Sequence, residues 1–138
     1  MAYLPESFAP EPNFEDEPFW DFCRKQELRF QRCVDCEMAR HPPSPICPAC
    51  HSTQSYWASA PDEGTIFTYT IIHHPADNRI GASIPYVVAL VKFDGFDEVK
   101  LVTNIVSDGP VAIGQSVKLV WDAVDGDMYL PRFAAVDT

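Results

Sequence analysis

The chain has 138 residues, 46% of them apolar, and a formal charge of −10. That is enough apolar material for one domain with a real core, or for a domain and a small appendage. The acidity argues against a protein that grips a phosphate backbone through Lys and Arg, and no apolar run approaches the roughly 20 residues needed to cross a bilayer.

The opening "MAYLPESFAPEPNFEDEPFW" has neither a basic n-region nor an apolar h-region, so a cytoplasmic location is expected. Four carboxylates in the first sixteen residues, with prolines at 5, 10, 12 and 18, predict a flexible acidic arm over 1–17. "EPFWDFCRKQELRF" predicts a helix over 18–32. Pro18 suits a first-turn position, and Arg24, Lys25 and Arg29 gather toward the C-terminal end, as the macrodipole favours. Phe19, Trp20, Phe22 and Cys23 are its apolar anchors, free to dock on the body or on another protein.

"CVDCEMARHPPSPICPAC" follows, with Cys33, Cys36, Cys47 and Cys50 in two Cys-x-x-Cys pairs. Disulfides are disfavoured in a reducing compartment. A thioredoxin-like dithiol needs a βαβ setting that is absent here. Paired knuckles at short spacing instead match a structural metal site in which four thiolates close a tetrahedron. Zinc is the expected ion, with iron in a rubredoxin-like site as its competitor. Such a site has no open position for water or substrate. Its work is to fold a segment too small for its own core, taken as residues 33–60. Cys23 is expected in the helix, buried or half-buried, and His41 and His51 as surface residues beside a metal already saturated.

From Gly64 the composition turns to Val, Ile, Thr, Tyr and Phe between turn residues, and strands are expected at about 65–73, 86–93, 98–106, 116–124 and 128–136. In the first, alternation puts Phe67, Tyr69 and Ile71 on one face. "FDGFDE" and "DAVDGDMYL" read as hairpin turns. The fold class is therefore mainly β: an N-terminal helix, a zinc ribbon, and a five-stranded OB-fold barrel over 61–138. His73 and His74 end the first strand with no Ser or Cys nucleophile motif near them, which argues against acid–base catalysis and leaves His73 as a partner-interface residue. The acidic turns at 94–98 and 125–127 lack the further ligands of a calcium loop.

The order of features, "FW", "LRFQRCVDC", "HPPSPICPAC", "EGTIFTYTIIHH", "PYVVALVKFD", "LVTNIV", "IGQSVKLVW" and "LPRF", closely resembles the acyl-CoA-associated OB-fold proteins with a rubredoxin-like zinc ribbon, domain of unknown function family thirty-five. The resemblance covers about residues 18–133. It implies a small partner of thiolase-fold enzymes (thiolases, acetyl transferases, steroid side-chain aldolases), with helix and ribbon reaching toward the partner and a CoA thioester passing near their junction with the barrel. Thiolase-fold enzymes are usually dimers, so a two-plus-two heterotetramer is expected.

Five of the ten basic residues, Arg24, Lys25, Arg29, Arg32 and Arg40, fall within seventeen positions. Arginine forks hold phosphates well. The expected CoA contacts are therefore Arg32, Arg40 and His41, with Phe30 stacking the adenine; dipole compensation and contact with an acidic partner are the competing readings of the island. Phe19, Trp20 and His73 are the expected partner contacts. The leading function is a non-catalytic subunit of a CoA-thioester thiolase or retro-aldolase. A nucleic-acid-binding OB/ribbon module is the alternative, and a free-standing acyl-CoA enzyme is disfavoured by the closed metal site.

Overall fold

Helix α1 spans Glu17–Arg24, eight residues fewer at its C-terminal end than the charge pattern predicts. Pro18 occupies its first turn, and Phe19 and Cys23, one turn apart, bury one stripe. It stops in a Schellman arrangement: Gln26 takes φ 59°, its N–H bonds the Cys23 carbonyl, and the Glu27 N–H reaches back to the Phe22 carbonyl, both at 2.9 Å. Glycine usually fills that left-handed position. With Gln there, the stop leaves no mark in the sequence. Arg29 and Arg32 accordingly sit on a strand rather than at a helix end.

The computed structural model describes residues 10–74, 84–124 and 127–136. Most of the expected acidic arm, 1–9, lies outside the described residues. Its last part is a hydrogen-bonded turn: the Asn13 side chain accepts the Glu15 and Asp16 N–H groups at 2.9 and 3.0 Å, and the Glu17 N–H bonds the Asn13 carbonyl. An Asx turn supplies locally the order that composition argues against.

The ribbon is a three-stranded antiparallel sheet in the order β2–β1–β3, with β1 at Arg29–Cys33, β2 at Ala39–Arg40 and β3 at Ser55–Ser59. Five further strands, β4 (Glu63–Ile72), β5 (Tyr86–Lys92), β6 (Leu101–Val106), β7 (Ser116–Val124) and β8 (Met128–Ala135), close a barrel in the order β4–β5–β6–β8–β7. The pairings are antiparallel except β6 with β8, which run parallel. This is the expected five-stranded OB architecture. The third strand begins at Leu101 rather than 98, because Phe96 and Val99 bond back to Phe93 and Phe96 in successive turns. A bulge between Ile66 and Thr68 shifts the β4 register, so Phe67 leaves the face of Tyr69 and Ile71 and stands exposed. The second hairpin turn, at 125–126, lies outside the described residues.

At Gly64 the β4 and β5 backbones come too close for any side chain: an added Cβ would sit 2.4 Å from Val91 Cγ1 and 3.0 Å from the Lys92 carbonyl. Ribbon and barrel share one core. The fully buried Phe30 of β1 meets Phe93 at 5.4 Å and Phe96 at 5.5 Å, and Phe93 meets Phe133 of β8 at 5.7 Å. Among the described residues no helix is long and apolar enough to cross a membrane.

Candidate functional site: a four-thiolate centre and the cleft beside it

The two knuckles are copies of one another at an offset of fourteen residues. The Glu37 N–H bonds the Cys33 carbonyl at 3.0 Å and the His51 N–H bonds the Cys47 carbonyl at 2.9 Å. The Cys33 N–H donates to Met38 and the Cys47 N–H to Ser52, both at 2.9 Å. Glu37 and His51 each take φ 65°, the left-handed turn just after the second cysteine that brings the Met38 and Ser52 carbonyls back to the first. The Cys33 sulfur accepts from the N–H groups of Cys36 and Asp35, and the Cys47 sulfur from those of Cys50 and Ala49. This backbone donation holds both thiols below their ordinary range, Cys47 at about 6. Cys36 and Cys50 shift upward instead, Cys50 to about 12, through burial and hydrogen bonds to the neighbouring sulfurs.

The four sulfurs lie within 4.8 Å of one another. Cys33 and Cys50 approach to 3.5 Å, and Cys36 and Cys47 to 3.6 Å. A tetrahedron with Zn–S bonds of about 2.3 Å has edges of about 3.8 Å, so the four donors fit one zinc ion and leave no vertex for a substrate. The site is structural.

The basic residues that form an island in the sequence are dispersed and engaged in the fold. Arg24 pairs with Asp21. Arg29 pairs with Glu27 at 2.7 Å and stacks over Phe22, and Lys25 lies over the same ring. Arg32 donates to the carbonyls of Glu37 and Gly95, both at 2.7 Å, with its guanidinium over Phe96; it ties the ribbon to the β5–β6 turn. Arg40 is buried, and its Nε and Nη2 donate to the Ser44 carbonyl. Phe30 has no exposed face, so it cannot stack an adenine. Phe19 is likewise buried within the chain and cannot anchor a partner, whereas its neighbour Trp20 is half-buried. His73 stands exposed just beyond the end of β4. His41, read as a surface residue, is wedged between Phe19 at 4.7 Å and Phe30 at 5.3 Å.

A cleft of about 500 Å³ opens where helix, ribbon and barrel meet. Phe19, Trp20, His41, Pro42 and Pro43 form its walls, and Tyr86, Val88, Val102, Asn104, Leu130 and Arg132 its floor, with Asp16 at the rim. The polar end is braced: Arg132 pairs with Asp122 at 3.3 Å and donates to Asn104 Oδ1, while Asn104 Nδ2 bonds the Val87 carbonyl at 2.8 Å. Neither cysteine nor serine lines the cleft. Sequence reasoning missed this cleft because its floor comes from three strands distant in the chain. The available signal was in "YVVALVK" and "LVTNIV", apolar on both faces where a half-wet strand would alternate.

His41 Nδ1 is buried in the cleft wall without a hydrogen-bond partner. Burial pushes the His41 pKa down to about 4, with the Asp16 carboxylate opposing. The folded pKa lies below the unfolded value of about 6.5, so the unfolded chain binds the extra proton. Stability is therefore full above about pH 6.5 and falls as pH drops toward 4, by about 2 kcal/mol at pH 4.5. Urea unfolding at pH 7.0 and 4.5 checks this. His41→Phe should lose that increment of pH dependence and keep whatever the thiolates contribute.

Comparison with known proteins supplies the context. The model of the ChsH2 rubredoxin-like zinc ribbon domain matches residues 20–55, and that of the ChsH2 C-terminal OB-fold domain matches 57–122. The solved structure titled "Ltp2-ChsH2(DUF35) aldolase" contains a chain that superposes with a TM-score of 0.82 at 34% identity, over 92% of this chain and 98% of that one. The chain belongs to the ChsH2 (DUF35) family. Two curated relatives are longer than this chain. A probable enoyl-CoA hydratase alpha subunit of Thermomonospora curvata is 36% identical over 133 residues, 94% of this chain but 40% of its own length. The 3-oxo-4,17-pregnadiene-20-carboxyl-CoA hydratase alpha subunit of Mycobacterium tuberculosis is 32% identical over 114 residues, 80% of this chain and 35% of its own length. A DUF35 protein from Sulfolobus solfataricus shares the fold at 21% identity, with a TM-score of 0.64 over 87% of this chain and 84% of its own.

Proposed function

We propose that this ChsH2-family chain is a non-catalytic subunit of a thiolase-fold enzyme that cleaves or forms a carbon–carbon bond in a CoA thioester, an aldolase or a thiolase. The observation that carries the reading is the match, nearly end to end, with the chain of an aldolase complex. The site's chemistry agrees. The four thiolates leave a metal no open position, and the cleft offers apolar walls, a neutral histidine and a braced arginine but neither a cysteine nor a serine nucleophile. The cleft takes the acyl and pantetheine portion of the thioester, and the reacting groups belong to the catalytic subunit. The assembly is a two-plus-two heterotetramer in the reducing cytoplasm, where the thiolates stay available to zinc.

A second reading, the ribbon–barrel portion of a hydratase, draws on the names of the two curated relatives. It is disfavoured because the match covers less than half of each, whereas the aldolase chain is covered almost completely.

The test is reconstitution. The isolated chain should turn over no acyl-CoA. The thiolase-fold subunit from the same organism should gain at least tenfold in carbon–carbon cleavage as the chain is added, saturating at equal molar amounts. Turnover by the isolated chain, or a partner that hydrates an enoyl-CoA instead, would refute the proposal.

A further inference from the structure

The cleft floor is one end of a larger sheet face. Across β4, β5 and β6 the registers align Thr68, Leu90 and Val102 in one row and Thr70, Val88 and Asn104 in the next. Even spacing puts Val106 on the same side. Val88, Val102 and Asn104 belong also to the cleft, so the two surfaces are continuous. Thr68 and Thr70 are exposed, Val102 is 65% exposed and Val106 46%.

This composition does not fit a face that meets water. An antiparallel sheet covering a core normally shows charged and polar residues outward, and this chain has twenty carboxylates to place. The three strands hold none beyond Glu63 at the start of β4, and Lys92 at the end of β5 is their one base. Single exposed apolar side chains are ordinary, but Val88, Leu90 and Val102 adjoin one another across β5 and β6, and contiguous apolar area on a surface marks an interaction site. The barrel is closed, so a partner meets the face rather than adding a strand to an edge.

We propose that the outer face of β4–β5–β6 docks a neutral, apolar surface of the catalytic subunit, which thereby roofs the open side of the cleft. A second copy of this chain is the poorer occupant, since each copy brings a formal charge of −10 and like charges oppose association. The inference rests on the functional reading above and adds where the two subunits meet.

The experiment measures the affinity of the full chain for its thiolase-fold catalytic subunit, unmodified and with Val102→Glu or, independently, Thr68→Glu. Both positions are exposed, so zinc content and unfolding temperature should stay unchanged while affinity falls at least 100-fold. Affinity within threefold of the unmodified chain for both variants would overturn the proposal. So would dimerisation of the isolated chain that Val102→Glu abolishes, because the face would then belong to a second copy. Failure of the unmodified chain to bind any CoA-thioester enzyme would instead remove the functional reading, and this inference with it.

Discussion

Cys47→Ser is expected to strip the metal and melt the ribbon. The apparent free energy of a structural zinc site is about 10–16 kcal/mol, comparable with the whole stability of a typical domain, roughly 5–15 kcal/mol. The ribbon has little else to hold it: its buried apolar residues are Phe30, Cys33, Ala39 and Cys47, and two of those are ligands. A serine oxygen is a poorer zinc donor, because its hydroxyl stays protonated where the Cys47 thiol, biased by the N–H groups of Cys50 and Ala49, gives up its proton. Elemental analysis should show metal content falling to near zero, and amide exchange should show protection lost across residues 29–59. Retention of a tightly held metal with unchanged protection would contradict this. A strong chelator applied to the unmodified chain should reproduce the exchange pattern.

Phe30→Ala is expected to destabilise the protein by about 3–5 kcal/mol, the cost of emptying a large aromatic site in a closed core. The position is more than a packing site. Phe30 is fully buried and contacts His41 from the ribbon and Phe93 and Phe96 from the barrel. Removing the ring weakens the joint between two units that also meet at Arg32, through its hydrogen bond to the Gly95 carbonyl and its stacking on Phe96, and along the cleft wall. Urea unfolding should therefore show a lower midpoint and, beyond it, ribbon and barrel melting in separate steps. Phe30→Leu should recover most of the loss. A single transition with an unchanged midpoint would show that the units do not share a core.

The barrel was legible in the sequence because each strand is bounded by turn residues and alternates or runs apolar in the way strands do; all five were located within about three residues. The metal centre was legible because Cys-x-x-Cys is a local signal whose geometry depends on a handful of backbone bonds. The helix end was not, since its left-handed stop is a glutamine. That one silent residue turned β1 into an apparent helix and its arginines into an apparent dipole-compensating island. The basic island that the sequence offered for phosphate binding comes apart in the fold for a related reason. Sequence proximity gathered residues whose strand alternation sends one into the core and buries another against Ser44. The cleft was missed because it is made by tertiary approach: the ribbon brings His41 to a floor that holds Asn104 and Arg132 from β6 and β8, and the doubly apolar strands are its one local trace.

X-ray absorption at the zinc edge of the purified chain tests most directly whether the metal is architecture and the chemistry lies elsewhere. Four sulfur scatterers at about 2.3 Å with no lighter atom in the inner shell are predicted. A nitrogen or oxygen ligand completing three sulfurs would mean an open, exchangeable vertex, a metal able to meet substrate, and an account that is wrong at its centre.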